Sequence, residues 1–88
     1  MDSENFINLC RQNLVDLCNR KMDSIGGKAD FKGSDFYVVW SSKTLQNNKA
    51  MMSTDVVAGL YFELTYSGDT KSMYVDVYER RENVCFKE

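Results

Sequence analysis

Hydrophobic positions recur through the first 25 residues with the spacing of a helix. At about 100° per residue, Phe6, Ile7, Cys10, Leu14, Leu17, Cys18 and Ile25 share one arc of roughly 120°. Asn5, Asn8, Gln12, Asp16, Asn19, Arg20 and Asp23 fill the opposite side, while Leu9 and Val15 fall outside the arc as candidate contact residues. Asp2 or Ser3 can accept from the first free N–H groups, and Glu4 suits the positive end of the helix dipole. Arg20 and Lys21 suit the other end, and Gly26-Gly27 offers the left-handed stop. Lys21 lies within the apolar arc, so its stem is expected to be buried with the ammonium at the edge. The pattern predicts one amphipathic helix over about residues 3–25.

Past Lys28 to Ser34 the period changes from helical to alternating. Phe36-Tyr37-Val38-Val39-Trp40 is β-branched and aromatic, and a second run covers Lys49 to Thr54 after the turn-like Gln46-Asn47-Asn48. Leu60, Phe62 and Leu64 alternate with Tyr61, Glu63 and Thr65; Met73, Val75 and Val77 alternate with Tyr74, Asp76 and Tyr78. Gly68-Asp69 between them suits a two-residue type II′ turn. Centred there, the hairpin pairs Leu64 with Met73, Phe62 with Val75 and Leu60 with Val77, and leaves Glu63 and Asp76 diagonal to one another. A slip of one residue would mix the two faces. The expected fold is α+β: an N-terminal amphipathic helix packed on one face of a four-stranded antiparallel β-meander. A single domain spans 1–88, with the sheet over about 35–80 and a C-terminal extension over about 81–88. In that extension Val84 and Phe86 break the parity of the fourth strand, which points to a bulge, a turn or a short added strand.

The uncovered side of the sheet is the informative surface. Tyr37, Val39, Tyr61, Tyr74 and Tyr78 are expected there with Glu63 and Asp76 among them. Half-solvated tyrosines packing across strands, a partner or self-association surface, and a stacking platform for bases are three readings of this face. The interface residues it offers are Tyr37, Tyr61, Glu63, Tyr74, Asp76 and Tyr78. Carboxylates among the tyrosines disfavour nucleic-acid strands, which need a basic groove.

Charge and composition remove several function classes. With 11 basic and 13 acidic residues, the net charge of −2 offers neither a basic stripe for non-specific DNA binding nor a field strong enough for DNA mimicry. There is no histidine, the commonest general base near neutral pH and a common metal ligand. Ser41, Ser42, Thr44, Ser53 and Thr54 have only a lysine such as Lys43 to activate them. No catalytic residue, metal site or cofactor is expected, and the chain is read as a non-enzyme. The 3 cysteines form no C-x-x-C pair, and on one helix Cys10 and Cys18 lie roughly 12 Å apart, too far for a disulfide. They read as reduced core thiols of a cytoplasmic protein with no membrane segment.

One stretch is chemically denser. Trp40-Ser41-Ser42-Lys43-Thr44-Leu45-Gln46-Asn47-Asn48-Lys49 sets an indole beside two ammonium groups, hydroxyls and amides. Trp40, Lys43, Thr44, Asn47, Asn48 and Lys49 are candidate ligand-binding residues for an anionic group, although the glycines of a phosphate loop are missing. The alternative is an ordinary hairpin, with Trp40 in the core and Gln46-Asn47-Asn48 making the turn.

The same stretch carries a resemblance. Val38-Val39-Trp40-Ser41-Ser42-Lys43-Thr44-Leu45-Gln46-Asn47-Asn48-Lys49-Ala50-Met51-Met52-Ser53-Thr54 resembles the V-V-W-S-C-K-T-L-Q-N-N-K-A-L-L-S-T pattern of a small family from temperate phages and prophages of Gram-positive bacteria. Tyr61 to Asp69 and Tyr74 to Tyr78 are similar to later parts of that pattern. Ser42 stands where the pattern has cysteine, and Met51-Met52 where it has two leucines. The resemblance implies an accessory phage protein acting in the bacterial host cytoplasm. Within that setting, Trp40, Lys43 and Lys49 with the tyrosines motivate one expectation and the tyrosine face another. One is a counter-defence protein, and a homo-oligomer, that sequesters a small nucleotide-derived signal. The other is a protein inhibitor that docks on a host or immune enzyme, such as a CRISPR effector, through the tyrosine-rich face.

Overall fold

The computed structural model describes residues 1–21 and 30–88. Among these residues there is one α-helix, α1 (Ser3–Asp16), followed by a π-helical turn over Leu17–Lys21. A short 3-10 turn, Gly33–Asp35, leads into strands β1 (Phe36–Thr44), β2 (Asn47–Thr54), β3 (Leu60–Ser67) and β4 (Ser72–Glu79). The strands form one antiparallel sheet in the order β1-β2-β3-β4, so the fold is α+β with a meander. The placements expected for Asp23, Ile25, the Gly26-Gly27 stop and the Lys21 side chain lie outside the described residues.

Helix α1 starts where its cap allows. The Asp2 carboxylate accepts the Asn5 N–H at 2.8 Å, satisfying a donor that no helical carbonyl can reach. Phe6, Cys10, Leu14 and Cys18 recur every four residues and are all buried. Regular α-helix ends at Asp16, sooner than the hydrophobic period suggested. In the wider turn that follows, the Asn19 side chain grips the backbone of Phe31: its Oδ1 accepts the Phe31 N–H at 2.8 Å and its Nδ2 donates to the Phe31 carbonyl at 3.1 Å. That clamp places Phe31 in the core, stacked on Phe36 at 5.7 Å, with Phe36 meeting Phe62 edge-on at 5.8 Å. Ala50, Met52, Leu60, Phe62 and Leu64 complete the covered face beneath α1, and Val15 packs half-buried against it.

Three local details depart from the sequence reading. The β1–β2 turn is Leu45-Gln46, closed by the Thr44–Asn47 pair, so Asn47 and Asn48 belong to β2. Of the two turn residues only Leu45 has positive φ, at 55°, a conformation that suits glycine better. The β3–β4 hairpin closes at Ser67–Ser72 around a four-residue loop instead of a two-residue turn. Leu64 therefore pairs with Val75 and Phe62 with Val77, two residues away from the expected register, and Glu63 directly opposes Asp76. Parity survives this slide, so every side chain keeps its expected face. Gly68 has no positive φ; a Cβ there would collide with the Gln46 carbonyl, and its N–H donates to Asn47 Oδ1 at 3.2 Å. The neighbouring hairpin, not local turn chemistry, sets this loop.

The third departure is a β-bulge. Val38 pairs with Met52, but Trp40 pairs with Met51, leaving Val39 as the extra residue. One inserted residue reverses parity, so Trp40 leaves the helix side and joins Tyr37 on the other. The core position considered for Trp40 is thus replaced by an exposed one, with 41% of its surface accessible. Beyond Glu79 the Arg80 N–H still donates to the Gly59 carbonyl at 2.7 Å, and residues 81–88 carry no helix or strand.

Candidate functional site

Helix α1 shields one face of the sheet, and register arranges the other into rows. Across the strands run Tyr37, Ser53, Tyr61 and Tyr78; then Trp40, Met51, Glu63 and Asp76; then Ser42, Lys49, Thr65 and Tyr74. The face is graded along the strands, aromatic at one end, acidic in the middle and hydroxylic at the other. Ser53 is buried within the tyrosine row and its hydroxyl donates to the Leu60 carbonyl at 2.7 Å, so this row carries no unsatisfied donor there.

At the aromatic end, Met51, Tyr61, Tyr78, Glu79 and Arg80 line an open hollow of about 320 Å³. Its lining brings one methionine and two tyrosines together with Glu79 and Arg80. In the middle row, two carboxylates face each other across β3 and β4, an arrangement that costs free energy unless a cation approaches. Lys49 Nζ lies 3.7 Å from Glu63 Oε1 and answers one of the two charges. The Tyr78 phenol feels the pair: Glu63 foremost, then burial, then Asp76 push its pKa above the ordinary 10, so it remains a neutral donor near neutral pH.

All six expected interface residues, Tyr37, Tyr61, Glu63, Tyr74, Asp76 and Tyr78, lie on this face. Of the six candidate ligand residues, four come together and Trp40 and Lys43 do not join them. Thr44, Asn47, Asn48 and Lys49 line a shallow hollow of about 180 Å³ with Ser42 and Thr65. Trp40 lies in the next row toward the aromatic end. The Lys43–Asn48 pair occupies the helix side, where Asn48 is buried and its Oδ1 has no hydrogen-bond partner among the described residues. Alternation alone sets the indole and Lys43, three positions apart, on opposite faces, and the bulge decides which face takes which.

Sequence reading passed over Met51 and Arg80, both of which line the aromatic hollow. Met51 was legible from its odd position in β2; Arg80 was not, because it reaches the hollow through the Gly59 contact. Among the described residues no group of three or more metal-ligating side chains assembles, and no helix is long and apolar enough to cross a membrane.

Compared with known proteins, residues 7–88 match one family model, described as a family of unknown function (DUF6275). No curated protein and no solved structure matches the chain.

Proposed function

The chain belongs to the DUF6275 family, whose function is unknown, and we propose on the strength of its own surfaces that it is a non-enzymatic binding protein whose uncovered sheet face docks on a bacterial protein. One observation carries this reading: Tyr37, Trp40, Met51, Tyr61 and Tyr78 share a bare face around an apolar hollow, with carboxylates beside it. Large, stiff aromatic side chains bury much area for little lost entropy, and a hollow of this size takes an anchoring side chain. The resemblance of the Val38–Thr54 motif to temperate-phage proteins supports a counter-defence role in the host cytoplasm, by inhibition of a host or immune enzyme. The free thiols of Cys10, Cys18 and Cys85 fit a reducing compartment.

Affinity capture from host lysate, followed by reconstitution with the purified partner, tests the reading. Tyr78→Ala and Trp40→Ala each lose the captured protein while the circular dichroism spectrum is unchanged. Equal capture by wild type and both variants overturns it.

The small-signal reading has a narrower support. Thr44, Asn47, Asn48 and Lys49 share a hollow, but 180 Å³ falls below the roughly 300 Å³ at which ligand pockets begin. Calorimetric titration with cyclic nucleotides and ADP-ribose derivatives separates the two: binding that is lost in Lys49→Ala and spared by Tyr78→Ala would favour signal sequestration.

A further inference from the structure

The C-terminal segment has the makings of a strand without a neighbour. Glu82, Val84 and Phe86 alternate with Asn83, Cys85 and Lys87. Phe86 is 91% exposed and Val84 is exposed beside it. At the far side of the sheet, β1 is an edge strand whose outer N–H and C=O groups meet no other strand among the described residues, and Tyr37, Val38, Val39 and Trp40 are all exposed along it. An apolar open edge is a template for a further strand.

The segment cannot reach that edge within its own chain. Strands β1 and β4 are the outer members of the sheet, three spacings of about 4.8 Å apart, or about 14 Å. Arg80 is still held by the Gly59 carbonyl, so only Arg81 separates the anchor from Glu82, a reach of at most about 7 Å. We propose that residues 82–87 of one copy add antiparallel to β1 of a second copy, each copy giving a tail and receiving one.

Charge selects the register. With the bulge at Val39 skipped as β2 skips it, Glu82 opposes Lys43, Val84 opposes Ser41 and Phe86 opposes Val38, all on the helix side. Cys85 then opposes Trp40 and Lys87 opposes Tyr37 on the other side, where a lysine over a phenol ring is favourable. Lys43 and Glu82 have no ion pair among the described residues. Sliding by one residue sends Val84 and Phe86 to the wrong face, and sliding by two parts Glu82 from Lys43. A lysine and a bulge on an edge strand deter indiscriminate pairing, so an acid placed to meet that lysine makes the edge selective for this tail. The added strand extends the sheet sideways and leaves the Tyr61–Tyr78 hollow open, so this inference does not depend on the partner reading.

Sedimentation and light scattering of the full chain in reducing buffer provide the test. The wild type forms an assembly larger than a monomer. Phe86→Asp gives a monomer with an unchanged circular dichroism spectrum, since Phe86 is exposed in the single chain. Lys43→Glu weakens association about tenfold or more by setting like charges together, and Lys43→Glu with Glu82→Lys recovers it. A monomeric wild type, an assembly indifferent to Phe86→Asp, or a charge exchange that recovers nothing overturns the proposal. So does an assembly lost in Tyr78→Ala and kept in Phe86→Asp, which would place the contact on the sheet face.

Discussion

Tyr61 and Phe62 are neighbours in the chain and lie on opposite sides of one sheet. Phe62 is fully buried beneath α1, edge-on to Phe36; Tyr61 is half-buried on the bare side, between Ser53 and Tyr78. The two faces share one backbone pairing and differ in their side chains and in what covers them. Stability is therefore concentrated on the side that α1 closes, while the side left open holds apolar area that folding did not use. Among the described residues one helix covers one face of the sheet, and the other keeps its aromatic side chains exposed.

The sharpest way to break the comparison is to hollow the covered side. Phe62→Ala removes a ring at full burial and costs about 3–5 kcal/mol, measured by urea denaturation. High pH attacks the same side more gradually. Burial raises the Cys10 thiol to about 12 and the Cys18 thiol to about 11, from an ordinary 9.0. Between those limits the unfolded chain has released protons that the folded chain retains, so stability is intact below pH 9 and falls as pH rises toward 12. Each thiol contributes a slope of about 1.4 kcal/mol per pH unit in that window, and denaturation curves at a series of alkaline pH values check it. At pH 8, roughly the lower edge of ordinary thiol reactivity, a thiol reagent labels Cys85 and spares the two buried cysteines.

The next effect lies where helix and sheet are joined. Asn19→Ala strands both backbone groups of Phe31 and costs about 2 kcal/mol. On the hairpin tip the sign reverses. Leu45 is 88% exposed at a φ of 55°, so Leu45→Gly removes strain without losing packing and stabilises by about 1 kcal/mol. Smallest is Tyr78→Ala on the bare face, expected within about 0.5 kcal/mol in stability while partner capture disappears. A loss comparable to that of Phe62→Ala would show that the open face also holds the fold together.

How far the sequence carried these distinctions follows from the periods involved. A strand alternates every two residues, so Leu60, Phe62 and Leu64 could be separated from Tyr61, Glu63 and Thr65 without any coordinates. The same period is blind to a slide of two, which is why Glu63 and Asp76 were expected on a diagonal and are found directly opposed. The bulge at Val39 is invisible to alternation as well, and it alone decides which face bears Trp40. Four hydrophobic residues at helical spacing announced α1, but the clamp between Asn19 and Phe31 joins positions 12 apart in sequence and leaves no periodic trace.

By itself, then, the sequence determined the number and type of elements, the parity of β3 and β4, the covered face and the absence of any histidine for chemistry. These are local properties, written in spacing and composition. Tertiary structure decided the register of the last hairpin, the side taken by Trp40, the scattering of the Trp40–Lys49 residues over two faces, and the exposure of Phe86. Each of those depends on a group distant in the chain: Gln46 and Asn47 against Gly68, Met51 against Trp40, Gly59 against Arg80. Alternation tells which way a side chain points, and only packing between elements tells what it meets.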